Sequence, residues 1–160
     1  MSAAAKPNCM PARIRPTEED GKRSLVEHAA DKAYEARQEH GINLLPGLPL
    51  EALDAIIEDR RFVRYPMQLI FNRDPLKEGE FAYLQAVNQG VPNEGFVLFV
   101  HPQFEGNDDI LPMIVAYHLV CVNYGEIAGP EAAEAFGAAL MGMEVEDYYQ
   151  QLCQIADSLN

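Results

Sequence analysis

From Ile110 to Val122 the chain runs for thirteen residues without one charged side chain, and only Pro112 and His118 interrupt the apolar character. A bilayer-spanning helix takes about twenty apolar residues, so this segment is too short to cross a membrane. It also has no polar face to turn to water, so the rest of the chain has to close around it. Asp109 stands where a helix cap belongs, Pro112 falls in the first turn where its missing N–H costs nothing, and Gly125 supplies a stop. The pattern predicts a buried central helix over about residues 109–124.

The flanking segments fix what can cover it. Residues 1–16, small, polar and broken by Pro7, Pro11 and Pro16, read as a disordered N-terminal arm. Thr17 to His40 reads as a helix with a thin apolar stripe (Leu25, Ala29, Ala33, Ala36) suited to the surface of the core, stopped by Gly41. Pro49 opens a second helix that ends near Asp59. Met67–Phe71 and Phe96–Val100 are short apolar runs between turn residues, hence strands. Gly79 to Val87 suits either element; Gln85-Ala86 and the closing Asn88-Gln89-Gly90 favour a helix. Gly129-Pro130 opens an alanine-rich helix ended by Gly142, and Val145 to Leu159 carries a clean amphipathic pattern. The fold class expected is α+β: a mainly helical single domain over 17–160, with a small sheet and the buried helix at its centre.

Charge is divided unevenly. Lys77 is the last lysine or arginine; the thirteen acids beyond it have no fixed cation among them. Residues 1–77 balance twelve acids with twelve bases, so the formal charge of −13 belongs to residues 78–160. Proteome-wide acidification against salt would not leave the first half neutral. A half-chain of this kind attracts cations or a basic protein surface and repels phosphate and anionic lipid, so nucleic acid and membrane are poor partners. Three widely spaced cysteines imply no disulfide framework, and the N-terminus carries no conventional signal peptide, which together point to the cytoplasm.

Two clusters bear chemistry. The loop after the second strand offers His101 and Asp109, and the central helix offers His118 and Cys121, three apart and so on one face. Imidazole, carboxylate and thiolate are ligands for zinc or iron, provided that the loop folds back. Each also has a structural explanation: Asp109 as a cap, His118 as a hydrogen-bonded core histidine, Cys121 as a small apolar residue. No HExxH, paired CxxC or EF-hand loop supports the metal. A Cys121–His118 nucleophile would need an electropositive setting, which an apolar helix in an acidic half-chain does not give. Arg60, Arg61, Arg64 and Arg73 crowd around Phe62, Val63 and Tyr65. They form either an anion patch or internal salt bridges answering the acids of residues 78–160. His28 and His40 read as structural.

With no catalytic motif, the leading expectation is an acidic accessory or interaction protein. It would bind a basic protein surface, or self-associate through the alanine-rich helix around Gly137. The rival is a metal-dependent hydrolase or oxidoreductase built on His101, Asp109 and His118. A third is an apolar small-molecule pocket between the central helix and the sheet.

Overall fold

An apolar helix with no polar side is what organises the molecule. The computed structural model describes residues 18–43 and 46–159, so the expected arm at 1–16 and the capping Thr17 lie outside the described residues. Five helices, α1 (Glu18–Glu39), α2 (Leu50–Ile57), α3 (Leu111–Tyr124), α4 (Pro130–Met141) and α5 (Val145–Asp157), surround three strands, β1 (Met67–Phe71), β2 (Ala82–Ala86) and β3 (Phe96–Val100). Helix accounts for 55% of the described residues, which makes this a mainly helical α+β fold. Central α3 buries residues on all sides, among them Ile114, Val115, Leu119, Val120 and Val122.

α4 lies between α1 and α3 and packs on both. Its alanines and Gly137 are buried nearly all round, so the small-residue surface that could have served a second copy is filled within the fold. Ala29, Ala33 and Ala36 of α1 are completely buried, which explains how a thin stripe suffices: small side chains let α1 and α4 approach closely. α5 closes the other side. The Tyr148 ring, fully buried, lies against Gly137, and its hydroxyl donates to the Met113 carbonyl at 2.6 Å, joining α5 to α3. Arg37, buried near the end of α1, donates to the carbonyls of Leu140 and Gly47 at 2.8 Å each. A cation there meets the negative end of α4.

The strands order as β1-β3-β2, with β3 parallel to β1 and antiparallel to β2. Both predicted strands hold at the boundaries expected. The segment 79–87 is a correction: Ala82–Ala86 is strand β2, paired residue for residue from Ala82 opposite Val100 to Ala86 opposite Phe96. Its local composition is helix-compatible, but the unpaired edge of β3 overrides that weak preference. Gly95 has φ of +93°, and a side chain there would meet the Pro66 carbonyl oxygen at 2.8 Å, so the entry into β3 needs glycine.

The alanine substitution at Gly137 tests the α4–α5 contact. In an open helix Gly→Ala stabilises by up to about 1 kcal/mol. Here a Cβ would clash with the hydroxyl and the adjoining ring edge of Tyr148. Overpacking of this kind costs about 1–3 kcal/mol, so the urea midpoint of Gly137→Ala should drop. A midpoint that rises would show that the two helices do not meet at this point.

Candidate functional site

The residues singled out by sequence do not converge. His101 is buried at the end of β3, where its Nδ1 accepts from the Gln103 N–H at 3.2 Å and its ring meets Phe104 edge-on. Asp109 is exposed and caps nothing. Asn107 instead secures the turn that leads into the helix: its side-chain oxygen accepts from the Ile110 N–H at 3.2 Å and its carbonyl accepts from the Leu111 N–H at 3.0 Å. α3 starts at Leu111, one residue later than an Asp109 cap would place it. His118 lies halfway along α3, and Cys121, half-buried, lines a different cavity beside Tyr83–Ala86. Burial pushes the Cys121 thiol up, away from the thiolate. Among the described residues no group of three or more His, Cys, Asp or Glu side chains is placed to hold a metal ion.

The geometry builds a different site around His118. A cavity of about 330 Å³ opens between Gly79–Ala82 at the start of β2, Tyr117 and His118 of α3, Glu134 of α4, and Tyr149, Leu152, Cys153 and Ala156 of α5. It lies where the sequence placed its third option, between the central helix and the sheet. Rings form one wall: Tyr117 and His118 stand 5.4 Å apart and Phe81 and His118 6.4 Å apart, both edge to face. Tyr149, 47% exposed, stands at the rim, and the half-buried carboxylates Glu80 and Glu134 complete the lining. No lysine or arginine lines it.

Protonation states follow from the surroundings. The Ile114 carbonyl can only accept, so His118 Nδ1, 2.8 Å away, carries the hydrogen and Nε2 is left as an acceptor. Burial lowers the His118 pKa, outweighing the opposing effects of that hydrogen bond and of Glu80. Burial raises Tyr117, and it also raises Glu134, helped by the charges of Glu131 and Glu146. The pocket therefore sets uncharged rings beside the acidic side chains of Glu80 and Glu134. It can attract a cation and offer ring faces to it.

The arginines divide. Arg61 grips Asp59 through two bonds, at 3.0 and 2.7 Å, and reaches Glu39 at 2.8 Å. His40 adds a contact to Asp59 at 2.9 Å. The Arg61 bonds hold the Asp59 carboxyl well below the usual carboxylate range. The ion pairs of Arg61 and His40 are thus made within the first half of the chain. Arg60 and Arg64 turn instead to a second cavity, while Arg73 lies in the turn after β1, outside it. Sequence missed Glu134 and Phe81, which come from separate elements, whereas the Tyr148-Tyr149 pair does place one ring inward and the other, Tyr149, outward, where it can anchor a partner.

No family model, no curated protein and no solved structure matches the chain. Function has to be argued from the chemistry of the site.

Substitution gives a direct check on the start of α3. Asn107→Ala should cost about 1 kcal/mol of stability in thermal or urea unfolding. Asp109→Ala should stay within about 0.5 kcal/mol of the wild type. The reverse order would restore Asp109 as the cap.

Proposed function

We propose that this is a non-catalytic accessory protein of the cytoplasm that docks a basic protein surface, seating one lysine or arginine side chain of the partner in the pocket around His118. The observation that carries the reading is the pocket itself: rings from Phe81, Tyr117, His118 and Tyr149 with two carboxylates and no fixed cation. A cation over aromatic faces gains about 0.5–2 kcal/mol, more as water is excluded. Exposed acids on α4 and at the start of α5 (Glu131, Glu144, Glu146, Asp147) extend the negative field over a wider surface, and Glu131 and Glu146 act directly on Glu134. Such a field speeds encounter and selects partners by charge. The chain has no helix long and apolar enough to cross a membrane among the described residues, in keeping with a partner met in aqueous surroundings.

A fluorescent lysine-rich peptide, beside an acidic control peptide, tests the reading by anisotropy. The basic peptide should bind, and its affinity should fall steeply with salt, since exposed charges are screened beyond about 10 Å at 0.1 M. Glu134→Gln and Tyr149→Ala should each weaken it by about 1 kcal/mol, near fivefold, without loss of fold. Equal affinity for both peptides, or indifference to salt, would refute the proposal.

pH supplies a second test. Glu134 attracts a cation only when ionised, and its raised pKa means that the charge is lost at a higher pH than for an ordinary carboxylate. Protonation of His118 would add repulsion, but its lowered pKa defers this to below the usual imidazole range. Affinity should therefore be flat around neutrality and decline on acidification, beginning above the ordinary glutamate pKa. In Glu134→Gln the early part of that decline should disappear.

A further inference from the structure

We propose that a second cavity, enclosed by α1, the loop from α2 to β1 and the C-terminal end of α3, binds a small phosphate-type oxyanion. Its volume is about 240 Å³, and its lining includes His28, Lys32, Arg60, Arg61, Arg64 and Tyr124, with no acid. Four of the chain's twelve lysines and arginines thus meet in one hollow of a protein whose formal charge is −13. Charge of this sign, gathered against the overall field, calls for a local reason.

Their partners supply it. Arg61 is neutralised by Asp59 and Glu39. The others bond to uncharged acceptors: Lys32 to the Arg61 carbonyl at 3.0 Å, Arg60 to the carbonyls of Ile57 and Val63 at 2.9 and 3.3 Å. The Arg64 guanidinium stands 5.7 Å from the centre of the Tyr65 ring. Three full positive charges therefore face the hollow without a carboxylate among its lining residues. The C-terminal end of α3 contributes roughly half an elementary charge of opposite sign, far from enough to cancel them. Guanidinium groups present forked donors that match phosphate oxygens.

An independent observation points the same way. The Tyr124 hydroxyl is buried and has no hydrogen-bond partner among the described residues. Buried hydroxyl groups are nearly always paired, and one that is not invites a ligand atom. Burial raises the Tyr124 pKa, so the O–H keeps its proton and is a donor to an incoming oxygen. The ring is held by His28, edge to face at 5.8 Å. The loop is fixed as well: Asn123 donates to the Phe62 carbonyl at 2.7 Å and accepts from the Arg64 N–H at 2.8 Å. The loop that carries the arginines and the Tyr124 ring are thus held in place before a ligand arrives, which lowers the cost of binding.

The volume lies below the roughly 300–1,000 Å³ of pockets for drug-sized ligands. The ligand is accordingly small, either orthophosphate or a phosphate on a short organic body. A polyanion would bring further charges against the acidic half and is disfavoured by the same electrostatics that favour a small one.

Titration calorimetry at low ionic strength, with orthophosphate and with glycerol phosphate as probes, tests this. The wild type should bind at least one of them with a dissociation constant of about 1 mM or tighter, and the bound form should melt at a higher temperature. Tighter binding of orthophosphate assigns the free ion, and tighter binding of glycerol phosphate assigns a monoester. Arg64→Gln should weaken binding about tenfold. Tyr124→Phe should also weaken it, yet leave the unliganded melting temperature equal or higher, because an unpaired hydroxyl has been removed from the interior. No heat with either probe, or affinities unchanged in both variants, would overturn the proposal. Neither residue lines the pocket around His118, so lysine-peptide binding serves as an internal check of fold and keeps the two proposals separable.

Discussion

A helix that is apolar on every side must be covered on every side, and the architecture follows from covering α3. Burying each large aliphatic side chain is worth about 1.5–3 kcal/mol, and α3 brings Ile114, Val115, Leu119, Val120 and Val122 to the centre at once. The sheet takes one flank through β2 and β3, α4 a second, and α5 a third. α1 then covers the outside of α4, through alanines on both helices. Polar anchors set the depth and orientation of these layers at a few points. The Tyr148 hydroxyl on the Met113 carbonyl ties α5 to α3, Arg37 ties α1 to the end of α4, and Asn123 ties the loop before β1 to the end of α3.

That same helix carries both hollows. His118 lines the pocket with carboxylates, and Tyr124 lines the one with arginines. Six residues separate them, about 9 Å along the helix axis. The division in the sequence at Lys77 thus becomes a division in space. Residues after Lys77 supply the whole lining of the acidic pocket, while α1 and the α2–β1 loop deliver every cation of the basic cavity. α3 belongs to the acidic half by sequence but ends against the basic elements, so its C-terminus is the place where the two fields meet.

How much of this was legible depended on whether the signal was local. The strands Met67–Phe71 and Phe96–Val100 are bounded by their own turn residues and read correctly. β2 failed because Gln85 and Ala86 have no strand preference of their own; only the neighbouring edge of β3 makes Ala82–Ala86 extended. The start of α3 failed for a smaller reason. Asn107, Asp108 and Asp109 are all competent caps, and the turn after β3 decides which one faces the N–H groups leading into the helix. Sequence spacing put His118 and Cys121 on one helical face, yet β2 crosses so that each lines a different cavity. Glu134 and His28 had no signal at all, since a carboxylate on an alanine-rich helix and an exposed histidine gain meaning only from what folds against them.

Electrostatics then links stability to occupancy. Exposed acids crowd the surface of α4 and the start of α5, among them Glu131, Glu144, Glu146 and Asp147, and like charges so placed repel one another. Glu134 shows this locally: burial and the charges of Glu131 and Glu146 all disfavour its ionised form. The core has to hold the fold against that repulsion, and any cation that settles on the surface relieves it. Whatever binds the folded form and not the unfolded one adds its binding free energy to stability. A basic partner would therefore stabilise this protein by removing repulsion as well as by making contact, and screening by salt would achieve part of the same effect while weakening the partner's hold. Those two responses have opposite sign in binding and the same sign in stability, which separates a surface shaped for a cationic partner from one that merely keeps the protein dispersed in water.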